Sequence, residues 1–150
     1  MAAIKAQLTY GIPIAGWLPC LLRIGDFKLE TTLSNIPSDP MAAMLNTLIQ
    51  LHKGINITDR IIWHEEPTCH YLQFSKVELG YSLQISKSDK YDGPASLVYE
   101  FTGTYNQLIL PFYRALKAFN TLDLSQTGWL ELKKGRVAEL TQWVKEMKNS

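Results

Sequence analysis

Between residues 57 and 102 apolar side chains recur at every second position, the period of a strand with one buried face. Ile61 and Trp63, then Leu72 and Phe74, then Tyr81, Leu83 and Ile85, then Leu97, Tyr99 and Phe101 make four such runs with turn residues between them. Together they predict an antiparallel meander. Nearer the start, Leu18 to Ile24 and Phe27 to Leu33 are short apolar or alternating runs. Gly25-Asp26 separates them and is a two-residue hairpin signal.

Elsewhere the period lengthens to that of a helix. Ser38-Asp39-Pro40 supplies a cap followed by a proline where a first-turn N–H is not needed. Met41, Met44, Leu45, Leu48 and Ile49 follow at helical spacing, and Gly54 provides the stop. The two methionines read as core filler. Thr104 and Gln107 match a capping box for a second helix with Leu108, Phe112, Leu116 and Phe119 on its apolar stripe. Pro111 falls inside that pattern and is expected to kink or split it. A last amphipathic helix follows Gly135, with Val137, Leu140, Val144 and Met147 on one stripe and Trp143 beside it. The expected class is α+β: helices packed on one face of a mainly antiparallel sheet, with the other face partly available for binding. No repeat or linker divides residues 1–150, so a single domain is expected.

Composition narrows the function. A chain of 150 residues with 46% hydrophobic and 19% charged positions can bury about two-thirds of its unfolded surface. A net charge of +1 lacks the clustered excess of Lys and Arg that nucleic acid demands, so no nucleic-acid partner is expected. The apolar run from Gly11 to Leu22 is too short to span a bilayer and is broken by Pro13 and Pro19. Pro19 also stands where a lipoprotein signal would place a small residue before Cys20. A cytoplasmic chain with no membrane partner is therefore expected. Cys20 and Cys69 lie far apart in apolar or strand-like stretches and read as small buried thiols.

The densest polar constellation is Trp63-His64-Glu65-Glu66-Pro67-Thr68-Cys69-His70. With Glu66-Pro67 at a hairpin tip, His64 faces Cys69 across the ladder and His70 faces Trp63, on opposite sides of the sheet. One metal could collect His64 and Cys69 but not His70, so no metal and no cofactor are expected. No Gly-x-Ser-x-Gly elbow or phosphate-binding glycine loop is present, and a Cys69–His dyad lacks a third group to orient it. No catalytic residue is assigned. His52 reads as a surface or dipole-complementing residue. Asp89 and Asp92 lack the other ligands of a calcium loop, and Lys90 between them is wrong for one.

What remains is recognition. Glu65, Glu66, Asp89, Tyr91 and Asp92 occupy two turns of the same meander, supplying acidic groups and one aromatic that suit a protein partner with a basic cleft. Arg114 and Lys117 on the helical side are the alternative contact surface. Two other readings stay open. One is a small enzyme or ligand-binding domain with a pocket between sheet and helices, using His64, Glu65 or Glu66 and Cys69. The other is a homodimer paired through an exposed sheet face or edge.

In size, layout and lack of a catalytic signature the chain resembles small bacterial immunity proteins, the inhibitors that protect a cell from toxins of contact-dependent and related polymorphic systems. The features that carry the resemblance are Trp17-Leu18-Pro19, the helix start Ile36-Pro37-Ser38-Asp39-Pro40, the Trp63 to Pro67 hairpin and the helix segment Phe112-Tyr113-Arg114-Ala115-Leu116-Lys117. It implies a non-enzymatic module that neutralises a toxin by direct binding. Such proteins recognise toxins through individual surfaces, so no residue is carried over by position. Many inhibitors of nucleases are markedly acidic, and this chain is not.

Overall fold

A computed structural model of the protein describes residues 4–57 and 59–148. In chain order the elements are β1 (Ala6–Tyr10), β2 (Trp17–Ile24), β3 (Phe27–Ser34), α1 (Pro40–Lys53), β4 (Ile61–His64), β5 (Cys69–Val77), β6 (Gly80–Ser88), β7 (Ala95–Gly103), a π-helical turn (Tyr105–Ile109), α2 (Leu110–Asn120) and α3 (Lys134–Lys148). The seven strands form one antiparallel sheet in sequence order. The expected α+β meander is therefore present. One strand, β1, lies outside the runs that the hydrophobic pattern marks, because its alternation rests only on Ala6, Leu8 and Tyr10.

Registers follow the pleat. Ile24 pairs Phe27 across the Gly25-Asp26 turn, Ile61 pairs Leu72, Leu72 pairs Ile85 and Leu83 pairs Phe101. These residues share one face, which meets Met44, Leu48, Leu108 and Phe112 in a continuous core. Phe74 and Phe112 join sheet to α2 with ring centroids 5.0 Å apart, edge to face.

The sheet is not flat. β3 touches β4 through the single pair Ser34 and His64, so β1–β3 and β4–β7 are two halves joined at one corner. The β2–β3 hairpin curls over until Phe27 stacks on Tyr99 of β7 at 4.4 Å, and Tyr99 Oη donates to the Ile24 carbonyl at 3.3 Å. The concave side of this curl holds the core. Right-handed strand twist accumulates in this direction, and a single-pair junction leaves the halves free to fold toward each other.

Helix ends obey local chemistry. Asp39, rather than Ser38, caps α1 by accepting from the Met41 N–H at 2.8 Å, and Gly54 closes it in the left-handed conformation at φ +72°. The Thr104 and Gln107 capping box is present, but it starts the π-helical turn. Pro111 then lies in the first turn of α2, where a missing N–H costs nothing. Pro111 thus splits the pattern into two helical forms. α3 buries Val137, Leu140 and Val144 and ties to α1 through Lys53 and Glu139 at 3.0 Å. Met147 continues the same stripe but is partly exposed near the helix end. No helix among the described residues is long and apolar enough to cross a membrane.

Candidate functional site

The Ser34–His64 pair sets the end of β3 beside the end of β4; there the Asn35 N–H donates to Gly16 O at 3.4 Å and the Tyr91 ring meets His64, and this junction is the loop end of the sheet. Four connections gather there: residues 11–16, 35–39, 65–68 and 89–94. All five residues singled out for partner contact belong to the last two. The structure thus brings the two acidic turns to the same end, beside segments for which the hydrophobic pattern assigns no role.

The first connection closes as a tight hairpin. Ile14 and Trp17 exchange backbone hydrogen bonds of 2.9 Å in both directions. Ala15 at φ +52° and Gly16 at φ +84° between them are both left-handed, the requirement of a type I′ turn. A distant segment is clamped onto this turn: the Gly16 N–H donates to Thr127 O at 2.6 Å and Asn35 Nδ2 donates to Gly128 O at 2.6 Å. Gly128 has φ +82°, and a Cβ there would come within 2.7 Å of the Gly16 nitrogen, so only glycine permits the contact. Trp129 is buried against Phe119 at 5.9 Å, edge to face.

These constraints hold large apolar side chains in water. Ile12, Ile14, Ile36 and Leu130 are 77%, 67%, 67% and 74% exposed, and Trp17 lies partly open beside them. A continuous set of contacts leads from this group to the acidic turns. His64 donates through Nδ1 to the Ile36 carbonyl at 2.7 Å, and its ring meets Tyr91 at 5.2 Å, edge to face. Asp92 pairs with Arg60 at 3.5 Å, whose guanidinium lies 3.6 Å over the Tyr71 ring. Glu66 and Asp89 face water with no ion pair among the described residues. The exposed apolar group and the partly acidic turns therefore adjoin through Ile36, His64 and Tyr91.

Glu65 corrects one expectation. It does not project from its turn as a surface group; it points onto the concave side, where His70 donates through Nδ1 to one carboxylate oxygen and the Thr31 hydroxyl donates to the other. Side-chain parity explains this, since Glu65 follows His64 and so lies on the opposite side of the sheet. The expected cross-strand pairs are present, His64 with Cys69 and Trp63 with His70.

The same parity bears on chemistry. His64 and Cys69 lie on one side of the sheet and Glu65 on the other, so Glu65 is not the carboxylate of a His64–Cys69 site, and Glu66 faces water. In the Thr31–Glu65–His70 chain the carboxylate occupies the middle, whereas nucleophile activation needs the imidazole between hydroxyl and acid. Burial, with the Glu65 carboxylate adding to it, pushes both the Cys20 and Cys69 thiols up, so they stay protonated and poorly nucleophilic at neutral pH. No three His, Cys, Asp or Glu side chains among the described residues come together as a metal site.

Comparison with protein-family models, curated proteins and solved structures gives no match to this chain.

Neither the strand nor the helix period marks Ile12, Ile14, Ile36 or Leu130. A usable signal was present: isolated large aliphatics among Pro and Gly, outside any strand or helix period, have no core to enter.

Proposed function

We propose that this protein is a non-enzymatic recognition domain whose loop end binds a protein partner, and that the partner is a toxin domain neutralised by direct contact. The observation that supports recognition is the group Ile12, Ile14, Trp17, Ile36 and Leu130, exposed on loops that backbone hydrogen bonds hold in place. Each such side chain left in water forgoes about 1.5–3 kcal/mol that a partner's surface can restore. Because the loops are already ordered, little of that gain is lost to ordering them on binding. Glu66, Asp89, Tyr91 and Asp92 lie on the adjoining turns, where charge speeds encounter with a basic cleft and repels wrong partners. The toxin reading is narrower and rests on the resemblance in size and layout to immunity proteins.

The test is co-expression with the toxin domain from the reading frame adjoining the protein's gene, scored by growth and by binding of the purified pair. Ile14→Asp combined with Ile36→Asp is expected to keep the melting temperature within about 2 °C, because neither side chain is in the core. It is expected to weaken binding by about 100-fold or more and abolish protection. Glu66→Lys with Asp89→Lys is expected to slow association about tenfold at low salt. Full protection by the isoleucine double variant would remove the loop end as the binding surface. Tight binding of a protein without toxin inhibition would remove the toxin reading and leave recognition standing.

A further inference from the structure

The two edges of the sheet are built differently. On β7, Ile85 pairs Tyr99 and Ser86 pairs Leu97, so Val98 is an extra residue that bulges the edge, a device that discourages strand addition. On β1 the register runs without interruption from Ala6 opposite Ile24 to Tyr10 opposite Cys20, and no strand among the described residues pairs with its outer side.

The hydrogen-bond phase of that outer side follows from one bond. The Gly11 N–H donates to Pro19 O at 2.9 Å, so Gly11, Thr9 and Gln7 direct their backbone groups toward β2. In an antiparallel ladder the alternate residues point the other way. Ala6, Leu8 and Tyr10 therefore present N–H and C=O groups outward at an open edge. Beside it α2 packs against β1 and projects past it as a ledge, enclosing with β1 a groove of about 590 Å³. Pro111, Ala115 and Phe119 make the inner row of the ledge, while Arg114, Ala118 and Leu122 make the outer one. On α2, Pro111, Ala115 and Phe119, and likewise Arg114 and Ala118, are spaced by four residues, as one face of a helix must be, and Leu122 follows just past the helix end. Ala115 and Ala118 keep the ledge low enough to admit other side chains. Lys5 and Arg114 are the groove's charged groups, and no Asp or Glu lines it.

We propose that this groove binds an extended, acidic peptide segment of a partner protein, which adds to β1 as an eighth strand and lays alternate apolar side chains on α2. Three features specify that occupant. Outward backbone groups at every second residue require a partner that is itself an extended chain. The apolar ledge takes the side chains on one face of that chain. The unopposed Lys5 and Arg114 take carboxylates, Arg114 with a bidentate option. A second copy of this chain fits less well, since it would bring two cationic, acid-free grooves together. Five residues of β1 accommodate a segment about 17 Å long. The groove runs along the side of the sheet, so binding there stands or falls independently of the loop end.

The experiment uses the whole chain and an acetylated, amidated heptapeptide of alternating glutamate and valine, followed by amide hydrogen exchange and nuclear magnetic resonance titration. The peptide is expected to slow exchange at the Ala6, Leu8 and Tyr10 amides and leave Gln7 and Thr9 unaltered, because the latter are already bonded to β2. Arg114→Glu and, separately, Lys5→Glu lie on the surface and should each weaken binding about tenfold, with folding checked by circular dichroism. A lysine-valine heptapeptide and a glutamate-valine peptide N-methylated at alternate residues are expected not to bind. Equal binding of the lysine peptide, no protection of the three amides, or unchanged affinity in both charge variants would overturn the proposal. Protection of those amides without peptide, together with a dimer mass, would overturn it too and assign the edge to a second copy.

Discussion

Glu65 accepts hydrogen bonds from His70 and Thr31 on the concave side of the sheet, whereas Glu66, the next residue, faces water with φ +52°. Their substitutions should separate accordingly. Glu65→Ala strands an imidazole and a hydroxyl in a largely buried site and is expected to cost about 1–3 kcal/mol. Glu66→Ala removes no contact and should stay within about 0.5 kcal/mol. Urea denaturation of the two variants measures this, and equal destabilisation would mean that Glu65 is not held as described. The consequence for recognition is direct: of the two glutamates, only Glu66 can be reversed in charge to probe partner binding without disturbing the fold.

Among the elements, α1 and the π-helical turn are joined by one side chain. His52, in the last turn of α1, donates through Nδ1 to Leu48 O at 2.6 Å, and its Nε2 accepts from Tyr105 Oη at 2.7 Å. This arrangement needs the neutral ring, so His52 is a clamp between elements and not the charged partner of a helix dipole. Burial lowers its pKa from the usual 6.5, with the bond to Leu48 opposing that shift, and the Tyr105 hydroxyl is pushed up to about 12. Below pH 6.5 the unfolded chain therefore takes up a proton that the folded chain declines, and stability falls as pH falls. The contribution is complete above that pH. Melting temperatures from pH 8 to 5.5 should decline more steeply for the native protein than for His52→Gln, and parallel declines would show that His52 titrates normally.

At the scale of the molecule, the curl of the sheet positions everything else. Its halves meet through Ser34 and His64 at one corner and through Phe27 and Tyr99 at the other. If the second contact holds the curl, Phe27→Ala and Tyr99→Ala should be non-additive. A double-mutant cycle is expected to give a coupling of about 1 kcal/mol. Additive effects within about 0.3 kcal/mol would mean that core packing alone sets the curvature. The Ser34–His64 junction is also where the loop segments meet, and β1 is left as the regular open edge.

Local chemistry was legible in the residues themselves. Alternation marked six of the seven strands, Gly25-Asp26 marked the hairpin, and Asp39, Gly54, Thr104 and Gln107 marked helix ends, because each depends on neighbours within a few positions. Side-chain parity even separated His64 from His70. The tertiary structure alone decided that Glu65 is spent inside, that Thr127 and Gly128 lock onto the Ala15-Gly16 turn and Asn35, and that segments bearing exposed aliphatics are tied together next to the acidic turns. Those outcomes depend on contacts between residues as far apart as Asn35 and Gly128. No periodicity encodes such pairings, since they are set by how far the sheet curls around the volume of its core.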